Sequence, residues 1–342
     1  MHTRALACLV AVVTGVLGAG CGNDSGSANS APSASGGGSG AGAAPNRVKL
    51  RVQLDWMPEP EFGGLYAAKS MGLFDAAGLD VEIIPGAPGV PGPQMVASGT
   101  CELGVLSADQ ILTTRSQGGD VVGVFATFTE NPTAVMVHEA SAAQSLKDVW
   151  TMGLTLTTEP GLPWVQLMNA QYGTDKVKIV ANTGGVGAFM ANPAAAQSIY
   201  VTSEPITMRL NKVPVRVLSV AESGYNPYAA VYSTRRVFLD ANREKLRAFA
   251  TAMQQGWEAY LTTPEKFNPV IAPLNPAMNL EAMNLAATIM RPYLEGSGDA
   301  KRPVGWMDGA RWSATEQALV KVGILKSAGH AERAYENLVE CR

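Results

Sequence analysis

The stretch Val48-Lys49-Leu50-Arg51-Val52-Gln53-Leu54-Asp55-Trp56 decides how this chain is read. Val48, Leu50, Val52 and Leu54 alternate with Lys49, Arg51 and Gln53, the two-residue period of a strand with one buried face. Asp55-Trp56 closes it. Gly64 to Phe74 then reads as a short helix ending near Gly72. Leu79 to Ile84 reads as a second strand, stopped by Pro85-Gly86. The rhythm continues with a helical turn or two at Gln94 to Ser98 and a third strand at Glu102 to Leu106. Ser107-Ala108-Asp109-Gln110 has capping-box spacing and opens a helix to about Gln117. Val121 to Ala126 is a fourth strand. A second block repeats the pattern, with strands at Ala134 to His138, Met152 to Leu156, Val177 to Val180, Ser198 to Thr202 and Val213 to Val220. Pro163 suits the first turn of a helix running to about Tyr172. Ala229 to Ser233 reads as the return into the first block. Beyond it, Leu246, Phe249, Ala250, Met253, Trp257, Tyr260 and Leu261 recur at three and four, the spacing of a buried helix face. Strand–helix alternation through two blocks predicts an α/β protein of two lobes, each a mostly parallel sheet flanked by helices.

Composition narrows the function. The chain has 342 residues, 46% of them hydrophobic and 16% charged, with a net charge of −3. It has no basic excess, arginine-rich run or RNA-binding aromatic motif, so nucleic acid is not an expected partner. Four cysteines are too few for a disulfide scaffold. His2, His138 and His330 leave little material for a histidine metal site. No HExxH, CxxC, GxSxG or phosphate-binding P-loop is present. Gly184-Gly185-Val186-Gly187 follows a strand but lacks the full dinucleotide spacing. A binding protein without cofactor or metal is therefore expected in preference to an enzyme.

In open α/β sheets, ligands bind outside the carboxyl ends of the strands. The residues just past each expected strand are Asp55 and Trp56, Ser107, Thr127, Thr158, Asn182 and Glu204. Trp164 follows on the helix opened by Pro163, and Tyr225 and Tyr228 lie where the chain would cross back. These ten are the candidate ligand-binding residues. Several carry a second reading. Trp56 can stack on a planar ligand or wall the core. Asp55 can accept from a ligand donor or cap the following turn. Glu204 can accept from a ligand or serve a hinge or surface ion pair. Ser107 caps its helix, whose N-terminus could still meet a ligand oxygen. Trp164 can line the cleft or pack against the preceding helix. Trp257, Trp306 and Trp312 read as structural. The set contains two carboxylates and no Lys or Arg, which favours a neutral or donor-rich ligand over an anion.

The first 46 residues read as address and tether. Arg4, the apolar run Ala5 to Leu17 and Gly18-Ala19-Gly20-Cys21 form a short charged region, an apolar region and a small-residue cleavage site. The run is well short of the roughly 20 residues a membrane-spanning helix needs. Small residues before a cysteine resemble a bacterial lipoprotein signal, although Gly18 stands where that family usually has Leu. The resemblance implies a signal peptide over 1–20 and a lipid on Cys21. An ordinary secretory signal is the alternative. Of residues 22–46, 21 are Gly, Ser, Ala or Pro, a composition that predicts a flexible tether reaching roughly 25–30 Å. If Cys21 is acylated, Cys101 and Cys341 could form one bridge or remain separate thiols.

A wider resemblance rests on an ordered series: Leu54-Asp55-Trp56-Met57-Pro58, Gly64-Leu65-Tyr66-Ala67-Ala68, Gly72-Leu73-Phe74 and Gly78-Leu79-Asp80-Val81. Gly104-Val105-Leu106-Ser107, Val201-Thr202-Ser203-Glu204-Pro205 and the Trp306 to Trp312 stretch support it. Together they resemble the solute-binding proteins of ABC importers. The branch is the one for thiamine pyrimidine precursors, riboflavin, taurine, alkanesulfonates and nitrate, related to the fungal thiamine-pyrimidine synthase. The synthase's cysteine-rich iron motif has no counterpart here. The resemblance implies a type II periplasmic-binding-protein clamp, with one lobe over 47–130 plus 222–342 and the other over 131–221. Ligand would bridge the lobes, and the permease would read the closure. Pyrimidine binders usually continue after Trp-x-Pro with Asn and, three residues later, His; here Glu59 and Phe62 hold those positions. The expected protein is exported to the cell envelope and lipid-anchored. It would deliver a small heteroaromatic solute to an importer, or sense that solute with the same clamp; taurine, alkanesulfonate or nitrate is the alternative cargo.

Overall fold

A computed structural model describes residues 47–295 and 302–340; the expected signal peptide, the tether, Cys21 and Cys341 lie outside the described residues. In chain order the strands are β1 (Val48–Gln53), β2 (Leu79–Ile84), β3 (Leu103–Leu106), β4 (Val121–Ala126), β5 (Thr133–His138), β6 (Thr155–Thr158), β7 (Lys178–Ala181), β8 (Ala195–Tyr200), β9 (Val215–Ser219) and β10 (Val231–Arg235). They form two five-stranded sheets, ordered β2-β1-β3-β10-β4 and β7-β6-β8-β5-β9.

Four strands of each sheet share one direction, as expected, and the fifth opposes them, so the sheets are mixed. β1 runs parallel to β2 and β3, whereas β10 is antiparallel to β3 and β4. In the second sheet β6 is parallel to β7 and β8, and β5 is antiparallel to β8 and β9. The reason is where each chain segment enters. β1 to β4 share one direction, and so do β6 to β9, each group built by crossovers within its own sheet. β5 and β10 arrive from the other sheet, so each enters between two strands at the end where those strands finish and runs back against them.

Two large apolar cores support this frame. In the first, Leu50, Val52 and Leu54 of the opening stretch are fully buried with helix Gly63–Ser70 and the long helix Arg236–Thr262. That helix buries the expected Leu246, Phe249, Ala250, Met253, Trp257 and Tyr260 face and bends at Asn242, whose φ of −130° is non-helical. The second core joins helix Pro163–Tyr172, helix Gly309–Lys321 and parts of both sheets. Trp312 is fully buried there and stacks on Tyr335 with ring centroids 5.4 Å apart, so its structural reading holds.

Two strands sit a few residues from where periodicity put them. β6 begins at Thr155 because helix Leu146–Thr151 occupies the preceding segment and Gly153, at φ +81°, turns the chain into the strand. β8 begins at Ala195 and stops at Tyr200, since helix Glu204–Leu210 claims the residues after it. Cys101 is buried, and burial pushes its thiol up to about 11.

Candidate ligand-binding site

The parallel strands of both sheets end at one gap, so the residues after them converge there. The gap holds a cavity with an empty volume of about 960 Å³, part of it open solvent. Six of the ten expected residues line it: Asp55, Trp56, Ser107, Trp164, Asn182 and Glu204. Asp55 and Trp56 leave the end of β1. Ser107 precedes helix Ala108–Ser116, and its N–H donates to Gln110 Oε1 at 3.0 Å while its Oγ bonds Asp109. The capping reading of Ser107 is therefore realised, and the capped end still faces the cavity. Trp164 does both of the things expected of it: it borders the cavity and packs edge-on against Trp150, centroids 6.2 Å apart. Asn182 accepts from the Gly184 N–H at 2.9 Å, which fixes its side chain at the rim.

The other four stand elsewhere. Thr127 and Thr158 are fully buried, with hydroxyls that find no partner. Tyr225 lies behind the wall, where its hydroxyl donates to the buried carboxylate of Asp109 at 2.8 Å. It thus braces the helix end that Ser107 caps. Tyr228 accepts from the Asp308 N–H at 2.7 Å and lies under the Arg311 guanidinium, 3.9 Å from its ring centroid. Both tyrosines belong to the framework around the crossover.

Glu59, Glu159 and Tyr200 are among the lining residues that escaped the sequence reading. Glu159 comes one residue after Thr158, so the strand-end rule stopped one position short. Tyr200 ends β8 two positions before the expected end. Glu59 had a signal, since it occupies the place where pyrimidine binders carry Asn.

The electrostatics are acidic. Burial, reinforced by Glu159, pushes the Asp55 carboxyl up to about 7, and its Oδ1 is sealed from solvent without a hydrogen-bond partner. Burial and the nearby Glu59 push Glu204 up to about 8. Glu59 and Glu159 are also raised, chiefly by burial. The side chains of Ser203, Asn275 and Trp56 bond to Glu59 and partly offset this. No Lys or Arg lines the cavity. Among the described residues, no group of three His, Cys, Asp or Glu side chains could hold a metal ion.

A two-sheet fold with an aromatic and acidic cavity at converging strand ends defines a class, the periplasmic-binding-protein fold. The chain belongs to the NMT1/THI5 like family, whose model matches residues 59–267. It is 21% identical over 309 residues to the riboflavin-binding protein RibY of Chloroflexus aurantiacus, covering 86% of each chain. It is 23% identical over 302 residues to the formylaminopyrimidine-binding protein of Halalkalibacterium halodurans, covering 85% of this chain and 90% of that one. Its structure superposes on the alkanesulfonate-binding protein SsuA of Xanthomonas axonopodis pv. citri, solved bound to MOPS, with a TM-score of 0.64 and 14% identity, over 86% of this chain and 99% of that one.

Proposed function

We propose that this protein is a solute-binding protein. It captures a small heteroaromatic molecule, of thiamine-precursor or riboflavin type, between two lobes formed by residues 47–130 plus 222–342 and by 131–221. The single observation that carries this reading is the cavity itself: both sheets contribute to it, and it is walled by Trp56, Trp164, Tyr200 and several hydrogen-bonding groups. Indole and phenol rings favour a planar partner. Family membership and the names of the two curated relatives support the same class. The cargo goes to the permease subunits of an ABC importer, which respond to the ligand-closed form. A ligand shifts that equilibrium only through its better fit to the closed form. Although SsuA binds an alkanesulfonate, four carboxyl groups and no basic side chain in the lining disfavour an anionic cargo here.

A thermal-shift screen tests this reading with riboflavin, thiamine pyrimidine precursors, taurine, alkanesulfonates and nitrate. A ligand at 100 times its dissociation constant stabilises the fold by about 2.7 kcal/mol, a visible rise in melting temperature. Hits confined to the heterocycles are expected. Trp56→Ala should then weaken the hit by about tenfold or more, given the size of a lost stacking contact and its buried area. Unchanged affinity in a calorimetric titration would remove Trp56 from the site.

The protein works at the extracytoplasmic face, tied there by a lipid on Cys21. No described helix is long and apolar enough to cross a membrane. Cys21→Ser should release the protein from sedimented membranes into the soluble fraction. A variant that still sediments with membranes would rule out lipidation as the tie.

A further inference from the structure

The cleft carries a charge pattern that ring stacking leaves unused. Asp55 and Glu59 come from the first sheet's side and Glu159 and Glu204 from the second's, and all four face one cavity. Glu61, only 5% exposed, stands behind them close to Asp55, Glu59 and Glu204. The other titratable groups around Asp55 are the phenols of Tyr200 and Tyr232. Like charges therefore oppose each other across the gap, Asp55 with Glu159 and Glu204 with Glu59. The chain supplies only neutral donors to these groups. Asn275 Nδ2 donates to Glu59 at 3.1 Å, the Gly89 N–H to Glu159 at 3.2 Å and the Tyr200 N–H to Glu204 at 3.2 Å. Asp55 Oδ1, sealed from solvent, receives nothing. Among the described residues no three acids come close enough to share a metal ion.

We propose that the cargo is an organic cation, a planar molecule bearing a protonated amine or amidine, whose positive group is held between the carboxylates of the two sides. This rests on the solute-capture reading and specifies its ligand. A cation explains both halves of the cavity: the rings hold the plane of the molecule, with cation–π attraction added, and the acids hold its charge. It also couples binding to closure. Closing the empty cleft brings carboxylate against carboxylate in a low-dielectric space, a repulsion that a cation reverses in sign. Without ligand, the raised groups relieve that repulsion by keeping protons. A bound cation favours their ionised forms and expels the protons. Proton release sets the sign of the pH dependence, so affinity for a cation rises as pH climbs through about 7 to 8, the values to which Asp55 and Glu204 are pushed.

Calorimetry of the full chain with three isosteric probes tests the proposal: benzamidinium, benzamide and benzoate. The expected result has three parts. Benzamidinium binds about tenfold or more tightly than benzamide, and benzoate does not bind. Benzamidinium affinity climbs from pH 6 to pH 8, with a heat that depends on the buffer's ionisation enthalpy because protons leave. Glu204→Gln lowers benzamidinium affinity by about tenfold. Benzamide or benzoate binding as tightly as benzamidinium overturns the cation, and so does a pH-independent affinity. Silence of benzamidinium up to about 20 mM, beyond any useful affinity, overturns it as well. In that event a neutral heterocycle from the thermal-shift screen leaves solute capture standing, whereas a screen with no hits removes both readings.

Discussion

Gly256→Ala is expected to lower stability by about 3 kcal/mol, the upper end of typical overpacking costs. Helix Arg236–Thr262 crosses helix Gly63–Ser70 at this point. A Cβ on Gly256 would press into the Gly64 carbonyl oxygen and stand 2.8 Å from the Ala68 Cβ. Neither obstacle is the movable end of a long side chain, so the helices themselves must separate. Gly63 and Gly64 meet the rings of Tyr260 and Trp257 in the same way. The interface is thus a seam of small residues from one helix facing aromatic and small residues from the other. Separation would spread into the first core and the frame that carries β1, Asp55 and Trp56. Thermal unfolding of the full chain should show a fall of roughly 5 °C. A melting temperature within a degree of the parent would mean that these helices are not packed backbone to backbone.

The second large effect concerns the crossings between the sheets. Arg311, on helix Gly309–Lys321, reaches both of them. Its Nε donates to the Asn226 carbonyl at 2.6 Å, and its Nη2 to Asn226 Oδ1 at 2.8 Å and to the Pro227 carbonyl at 2.9 Å. Its Nη1 donates to the Thr129 carbonyl, on the outgoing crossing. Asn226 Oδ1 also accepts from the Asn131 N–H at 3.1 Å. One guanidinium therefore staples the outgoing and returning segments, while its plane covers Tyr228. Burial lowers Arg311 to about 10, yet it stays charged at neutral pH. Arg311→Ala strands several carbonyl oxygens and a stacked ring. Hydrogen bonds to charged groups contribute about 1.5–3 kcal/mol each, and a loss of about 3 kcal/mol or more is expected for the set. Arg311→Lys should recover little, since an ammonium cannot reproduce the fork. Equal stability of Arg311→Lys and the parent in chemical denaturation would show that the staple is not what holds the crossings.

The candidate site was legible to differing depths. Asp55 and Trp56 could be placed because the strand before them has an unbroken two-residue period and ends abruptly. Ser107 and Glu204 could be placed because each stands at a helix start after a strand. Thr127 and Thr158 satisfied the same rule and failed to reach the cavity. At a strand end successive side chains point to opposite faces, and a single position separates the buried hydroxyl of Thr158 from Glu159 at the cavity. Tyr225 and Tyr228 were placed near the crossover correctly, but their hydroxyls are taken by Asp109 and by the Asp308 N–H. No local pattern announces such partners, which come from more than 75 residues away in the chain.

By itself the sequence determined the alternation of strands and helices, the two-block organisation, the family and the absence of basic groups among the expected site residues. All of these follow from local periodicity, from ordered short motifs or from composition, which need no knowledge of what packs against what. Only the tertiary structure decided that the sheets are mixed, because direction depends on the end of the sheet from which β5 and β10 enter. It alone brought Glu59, Glu159 and Glu204 to one cavity with Asp55, because acids up to 149 positions apart meet only when the strand ends of two sheets face one gap. Their raised carboxyl groups are a property of that meeting, since burial and mutual repulsion do not exist until the chain has folded.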